Sequence, residues 1–129
     1  MEIKYKNEWI PEYDIVQNDI IKFYEEVYER VGNKYKYRFL RYIKALVVNE
    51  SYGKKRMQHT FTLKVIDSDY YNSGTIIMRR GRNIYSNDPK RLLWEDENLR
   101  SKYIMLKREK KNKVKEEYEK RKEKLIWQT

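Results

Sequence analysis

Apolar residues in the first part of the chain recur at the spacing of a helix. Within residues 9–32 the recurring positions are Ile20, Phe23 or Tyr24, Val27 and Val31. Pro11 and Asp14 are typical of a helix start, and Gly32 suits a C-terminal cap. The pattern therefore predicts a first helix over residues 9–32.

A second apolar stripe follows over residues 35–50. Phe39, Ile43 and Leu46 lie at helical intervals and predict a second helix. The β-branched end of this segment, residues 46–48, is also compatible with a strand.

The segment from residue 57 onwards changes to strict alternation. Met57, His59, Phe61, Leu63 and Val65 fall on one face of a predicted strand. After a turn over residues 68–74, residues 75–80 predict a second strand, antiparallel to the first. Two strands alone are marginally stable, so further strands or a partner subunit must complete the sheet.

The rest of the chain reads as helix. Asp88 is a natural N-cap, Pro89 suits the first helical position, and no Gly or Pro follows before Trp127. We predict one long helix, or two joined near Glu97 and Asn98. Its apolar stripe consists of Leu99, Tyr103 and Leu106, and later of Val114, Tyr118 and Leu125.

These elements predict an α+β fold in a single domain, residues 1–129. We expect a helical part over 1–50, a strand pair within 57–85 and a basic helical part over 88–127. The result is a small antiparallel sheet flanked by helices, with a long C-terminal helix, in an oligomer. A chain of 129 residues suits one domain with a modest core.

The net charge of +10 is unevenly distributed. Residues 1–50 hold nine basic and nine acidic residues, whereas residues 51–129 hold 21 basic and 11 acidic residues. A positive field of this kind favours phosphate-bearing partners, whether a polymer, a small nucleotide or an anionic membrane surface. The second part of the chain is therefore the candidate binding part.

Cysteine content and hydropathy limit the cellular compartment in which we expect the protein. There is no cysteine, so disulfides and cysteine-based zinc sites are excluded, and a reducing compartment is the simpler expectation. The first thirty residues lack the apolar core of a signal peptide, and no segment approaches the length needed to span a bilayer. We expect a cytoplasmic protein with no membrane partner.

The segment RRGRN, residues 79–83, is the first candidate for anion binding. Arg79, Arg80 and Arg82 surround a glycine whose turn exposes backbone N–H groups, and guanidinium groups match phosphate oxygens bidentately. Asn83 adds an amide for a base or ribose edge. The alternative is a strand that ends in a turn carrying solvated arginines.

The predicted C-terminal helix supplies a second candidate face. Arg100, Tyr103 and Lys107 follow one another at helical spacing, which suits stacking on a base and pairing with a phosphate. In the alternative interpretation Arg100 covers the core with its stem and meets Glu97 or Asp96. Residues 107–124, with 10 basic and 5 acidic residues, are also typical of a solvated helix.

Catalytic chemistry is disfavoured. His59 is the only histidine, and its position beside Phe61 favours a buried, hydrogen-bonded imidazole over a catalytic one. Asp67 and Asp69 are more typical of turn capping than of a cation site. We therefore expect no enzyme, no metal and no cofactor.

The segments HTFTLKV (59–65), GRNIY (81–85) and LWEDENLR (93–100) together give the chain a family resemblance. Over residues 57 to about 110 it resembles the first class of Thoeris anti-defence proteins. These small phage proteins sequester cyclic ADP-ribose isomers and, in some members, cyclic oligonucleotides.

The resemblance implies an oligomer built from dimers, in the cytoplasm of an infected bacterial host. It also implies pockets that bind the nucleotide signal without cleaving it. Asn83 and Arg100 would be the matching ligand contacts, and the stacking residue stays open between Phe61, Tyr71 and Tyr85.

Three hypotheses follow. The first is a nucleotide sponge whose ligand-binding residues are Arg80, Arg82, Asn83, Arg100, Tyr71, Tyr85, Tyr103 and Lys107. The second is a small DNA- or RNA-binding protein that uses the same basic half, which predicts steep salt dependence. The third is an inhibitor that docks onto a host protein through a tyrosine-rich surface.

Overall fold

The computed structural model describes residues 2–53 and 58–127 and has an α+β architecture. Its elements are β1 (Tyr5–Pro11), β2 (Ile20–Val31), β3 (Lys34–Tyr52), β4 (His59–Ser68), β5 (Ile76–Arg80), α1 (Gly81–Tyr85), β6 (Lys90–Trp94) and α2 (Glu97–Trp127). The strands form one sheet in the order β1-β6-β2-β3-β4-β5, and every neighbouring pair is antiparallel. The predicted α+β class with an antiparallel sheet and a C-terminal helix is confirmed.

The helix predicted over residues 9–32 is wrong, because this segment contains the end of β1 and all of β2. Ile21, Phe23 and Glu25 are buried at alternate positions of β2, which is the period of a strand. Gly32 does not cap a helix. It has a φ of 63° in a two-residue turn that pairs Val31 with Lys34.

The helix predicted over residues 35–50 is also wrong, because this segment lies within the long strand β3. Ile43, Ala45 and Val47 are buried at alternate positions, again at a period of two, and after a shift in register Glu50 is buried as well. The strands that complete the sheet therefore come from the same chain: β1, β2 and β3 lie in its N-terminal half, and β6 lies in the segment that was predicted as the C-terminal helix.

The predicted strand pair is confirmed as β4 and β5, which pair from Thr60 with Arg80 to Lys64 with Ile76. Phe61, Leu63 and Val65 face the core as expected. Met57, the predicted first position of this strand, lies outside the described residues.

The predicted start of the C-terminal helix is wrong. Asp88 has a φ of 48° in a turn before β6, so it caps no helix. The helix α2 begins at Glu97, and the cap is Asp96, whose Oδ1 accepts hydrogen bonds from the backbone N–H groups of Asn98 (3.0 Å) and Leu99 (3.3 Å). From there α2 runs as one helix of 31 residues.

The buried side of α2 coincides only in part with the predicted apolar stripe, to which Tyr103 and Leu106 belong but Arg100 does not. Leu106 is 56% exposed, whereas Arg100 is 5% exposed and Tyr103 packs its ring 5.6 Å from that of Trp94. The helix therefore contacts the sheet through polar and aromatic side chains. Within the described residues, no helix is both long and apolar enough to cross a bilayer.

The core lies on one face of the sheet, where α1, the β1–β2 loop and the first turns of α2 meet it. Ile84 of α1 is fully buried in this cluster, and Tyr71 and Tyr85 pack at its edge. Its members are Ile15, Ile21, Phe23, Ile43, Ala45, Val47, Phe61, Leu63, Val65, Ile77 and Ile84. Burial of this aliphatic and aromatic surface is the main stabilising term.

Candidate functional site: a tyrosine-lined cleft beside the C-terminal helix

A cleft with a volume of about 530 Å³ lies where α2 passes over the ends of β3 and β4. It is lined by Tyr13, Asp14, Tyr52, His59, Tyr85, Lys107, Arg108 and Lys111. Four of these residues are aromatic and three are cationic. The lining therefore combines flat ring surface with positive charge.

The aromatic wall is fixed by strand pairing. Tyr52 and His59 are register partners on β3 and β4, and their rings stack with centroids 4.6 Å apart and planes inclined by 8°. His59 Nε2 lies 2.8 Å from Oε2 of the buried Glu50. On the other side of the ring, a Cβ added at Gly81 would lie 2.7 Å from His59 Nδ1. The contact of Nε2 with Glu50 and the close packing of the ring edge against Gly81 hold the imidazole in place.

Lys107 places a cation at the base of the cleft. Its Nζ donates to the carbonyl oxygen of Ile15 (2.7 Å) and to Asp14 Oδ1 (2.9 Å). The hydroxyl of Tyr85 lies 3.4 Å from Nζ, and Glu50 Oε2 lies 3.7 Å away. Burial alone would lower the pKa of Lys107, but Tyr85, Glu50 and Asp14 raise it overall. The ammonium group is therefore charged and held in one position.

The two tyrosines beside Lys107 stay neutral. Burial, followed by the charge of Glu50, raises the pKa of Tyr52 to about 12. Burial also raises the pKa of Tyr85, whose hydroxyl accepts a hydrogen bond from the backbone N–H of Ile15 at 3.1 Å. Neutral phenol rings do not repel an anion, so the net charge of the cleft is set by its other residues.

The mouth of the cleft is positive. Arg108 and Lys111 lie on the exposed side of α2, and Asp14 is the one acidic side chain among the lining residues. The segment 107–115 of α2 contains six basic residues and one glutamate. Lys110 donates to the backbone carbonyl of Glu50, which ties this basic segment to the end of β3.

The arrangement suits an anion that carries a flat ring. Guanidinium and ammonium groups bind phosphate oxygens, and tyrosine and histidine rings stack on nucleobases. Among the described residues, no group of three or more histidine, aspartate or glutamate side chains could hold a metal ion. The cleft therefore offers binding groups, with no metal cluster within the described part of the chain.

Two of the residues predicted from sequence, Tyr85 and Lys107, line this cleft. Two others on the same predicted helix face do not. Arg100 is buried against Asp19, and Tyr103 packs against Trp94. The face running from Arg100 to Lys107 is thus anchored in the core at one end and open to the cleft at the other.

The predicted arginine corner lies apart from the cleft lining. Arg80, Arg82 and Asn83 are exposed on β5 and α1, and the Asn83 carbonyl accepts hydrogen bonds from Ser86 Oγ (3.0 Å) and Asn87 Nδ2 (2.9 Å). These bonds close the turn after α1.

Tyr71 also lies elsewhere. Its hydroxyl accepts a hydrogen bond from Arg79 at 3.0 Å, beside Glu25 and Arg41. Glu25, Arg41 and Arg79 thus form a cluster of buried and half-buried charges that stabilises the sheet away from the cleft.

The sequence interpretation missed Tyr13, Tyr52, Arg108 and Lys111 as lining residues. Tyr52 follows a segment that was predicted as helix, so its pairing with His59 had no sequence signal. One weak feature of the sequence could have indicated Arg108 and Lys111 as binding residues, because both are neighbours of Lys107 on the same helix.

Comparison with known proteins finds a relative that matches over part of its length. The chain is similar to the zinc finger CCCH domain-containing protein 62 of Oryza sativa subsp. japonica, with 29% identity over 99 residues. The match covers 70% of this chain but 14% of the rice protein. No solved structure shows a significant match.

A family profile described as "Domain of unknown function (DUF7699)" matches residues 16–94. This range contains Tyr52, His59 and Tyr85 of the cleft and ends before the cations of α2. Because the match covers more than half of the sequence, the chain belongs to the DUF7699 family.

Proposed function

We propose that the cleft binds a phosphate-bearing nucleotide and releases it unchanged. The observation that carries this proposal is that three cations, Lys107, Arg108 and Lys111, line the same cleft as the stacked rings of Tyr52 and His59. A base can stack against the rings while its phosphates pair with the cations. The volume of about 530 Å³ is in the range of small-ligand sites.

The surroundings of His59 support binding without cleavage. Its Nε2 is paired with Glu50, and its Nδ1 lies against Gly81. A general base needs a nitrogen within hydrogen-bonding reach of the ligand. Nε2 is engaged by Glu50, and the chain has no second histidine to share acid–base catalysis with His59.

The resemblance to the anti-defence sponges favours cyclic nucleotide signals as the ligand class. A cyclic ADP-ribose isomer or a cyclic dinucleotide combines bases with phosphodiesters, which is the chemistry that the cleft walls match. In that case the oligomer is built from dimers and the ligand is held in the cytoplasm of the host.

Native mass spectrometry tests this proposal directly. The chain is incubated with cyclic ADP-ribose isomers, cyclic di- and trinucleotides and a short DNA duplex. We expect an adduct with an intact cyclic nucleotide that denaturation releases unchanged, and the same spectra give the number of subunits. Absence of every nucleotide adduct would contradict the proposal.

A matched pair of variants locates the site. Arg108→Glu combined with Lys111→Glu reverses the charge at the mouth of the cleft, so we expect loss of the adduct. Lys113→Glu combined with Lys115→Glu makes the same charge change on α2, at exposed positions outside the cleft lining, and should retain it. Equal binding by both double variants would remove the cleft from the proposal.

A second candidate is binding of nucleic acid, and the course of α2 favours it. The basic segment continues past the cleft to Lys113 and Lys115, about 9 Å and about 12 Å along the helix from Lys107. A polymer would use this extended charge, and its affinity would fall steeply with salt. Under this candidate the Lys113→Glu and Lys115→Glu double variant loses affinity as well, which separates it from capture of a small nucleotide.

A further inference from the structure

A second surface with aromatic and basic side chains lies on the sheet face opposite the core. We call it the aromatic–lysine platform and define it by Trp9, Lys22, Tyr24, Tyr42 and Lys44. Lys22 pairs with Lys44 across β2 and β3, and Tyr24 pairs with Tyr42 two positions further along. Because the intervening residues of both strands face the core, these side chains all point away from it.

The members of the platform touch one another. Lys22 Nζ lies 4.3 Å from the centroid of the Trp9 ring, and Lys44 Nζ lies 5.7 Å from it. The Tyr24 and Tyr42 rings are 5.3 Å apart, and Tyr24 is 55% exposed. Flat aromatic surface and ammonium groups are thus presented together.

A cavity of about 380 Å³ adjoins the platform at the edge of β2 beyond the short pairing with β6. Its lining includes Lys22, Tyr24 and Tyr42, together with Lys90. Lys90 is the register partner of Lys22 across β2 and β6. The platform therefore has a third lysine at its border and a recess next to its tyrosines.

Fold stability alone accounts poorly for this pattern. A cross-strand tyrosine pair stabilises a hairpin, but two lysines placed directly opposite each other destabilise it. Asp67 is the register partner of Lys44 across β3 and β4, but within the described residues neither Lys22 nor Lys44 forms an ion pair with a carboxylate. Three adjacent lysines beside one exposed ring and two half-buried rings suit a polyanion with accessible bases.

We infer that the aromatic–lysine platform binds single-stranded nucleic acid. Bases stack on Tyr24, Tyr42 and the Trp9 ring, and the phosphates pair with the lysines beside them. The bases of a duplex are stacked on one another and cannot reach a flat sheet face, whereas single-stranded bases can. This surface is distinct from the cleft, and the inference does not depend on the function proposed there.

Fluorescence anisotropy tests it with labelled oligo(U), oligo(dT) and a duplex of matched length. We expect the parent chain to bind both single strands more tightly than the duplex. Tyr24→Ala should weaken single-strand binding at least about fivefold, the low end of the cost of losing one stacked base. Tyr24→Phe keeps the ring and should bind like the parent chain.

Two further variants separate recognition from stability. Tyr70→Ala removes another exposed tyrosine, whose ring contacts Phe39 on the core-facing side of the hairpin, and should leave the affinity unchanged. Lys44→Gln tests the charge without removing a ring. It should reduce the slope of log affinity against log salt by roughly 0.7 if the lysine contacts one phosphate.

Several outcomes would overturn the inference. These are no binding of either single strand, equal affinity for the duplex, or unchanged affinity in both Tyr24→Ala and Lys44→Gln. The cleft variant Arg108→Glu with Lys111→Glu separates the two proposals. If Tyr24→Ala still weakens single-strand binding in that background, the platform binds independently of the cleft.

Discussion

Arg100 and Asp19, 81 residues apart in the sequence, form a bidentate ion pair in the interior. Arg100 Nε donates to Oδ1 at 2.9 Å, and a terminal nitrogen donates to Oδ2 at 2.8 Å. Trp94 Nε1 and the backbone N–H of Val16 also donate to the same carboxylate, each at 2.9 Å. The pair therefore joins the first turn of α2 to the β1–β2 loop and to β6.

Replacing Asp19 by alanine should destabilise the fold strongly. Asp19 is fully buried and Arg100 is 5% exposed, so the variant leaves a buried guanidinium without its main partner. Breaking one side of a buried ion pair costs roughly 3–5 kcal/mol. Urea unfolding followed by circular dichroism measures the change in the free energy of unfolding.

The control for this prediction is Arg80→Ala. Arg80 is exposed on β5, and a substitution there should change the free energy of unfolding by no more than about 0.5 kcal/mol. Equal stability of Asp19→Ala and the parent chain would contradict the role assigned to the buried pair.

Arg100 also shows which kind of contact cannot be predicted from a local sequence pattern. Helical spacing placed it beside Tyr103 and Lys107, which is correct. Its partner could be sought only among neighbours such as Glu97 or Asp96, because spacing within a helix says nothing about a loop near residue 19. The burial of Arg100 follows from the tertiary pairing with Asp19, which no local pattern contains.

The strands of the N-terminal half were missed for a related reason. Phe23, Glu25 and Val27 alternate on β2, but a charged residue at a buried position hides the alternation. Glu25 is tolerated there because Arg41 and Arg79 donate to it from neighbouring strands. By contrast, the pair β4 and β5 was predicted correctly, since its buried positions are apolar.

Replacing Gly81 by alanine should distort the cleft. The added Cβ would lie 2.7 Å from His59 Nδ1, so the imidazole must move away from Glu50 or α1 must shift. Overpacking of this kind lowers the free energy of unfolding by roughly 1–3 kcal/mol. The midpoint temperature of thermal unfolding and the affinity for the nucleotide should both fall. Gly53→Ala, whose added Cβ would meet its nearest atom at 3.4 Å, should have a smaller effect on both.

The environment of Glu25 predicts a loss of stability in acid. Burial raises the pKa of Glu25, but hydrogen bonds and charge from Arg79 and Arg41 lower it overall, below its ordinary value of 4.5. Its contribution is therefore present above pH 4.5 and is lost as the pH falls through the folded-state pKa. Unfolding free energies measured across this window should show a shallower decline in Glu25→Gln. An identical decline in parent and variant would show that Glu25 is not the responsible group.

Tyr52, which lines the cleft, predicts a loss of stability at alkaline pH. Burial and Glu50 raise the pKa of Tyr52 from 10.0 to about 12 in the folded chain. Between these values the unfolded chain releases the phenolic proton and the folded chain keeps it. Stability therefore falls as the pH rises from 10 towards 12.

Tyr52→Phe removes the ionising group and should make this alkaline decline less steep in urea unfolding. Part of the decline should persist, because the pKa of Tyr5 is also raised to about 12, mainly by burial. Adding Tyr5→Phe should reduce the slope again, since the two rings lie in different parts of the fold and their effects should add. If Tyr52→Phe keeps the parent's slope, the hydroxyl of Tyr52 ionises as readily in the folded chain as in the unfolded one, which would contradict the burial of this ring against His59.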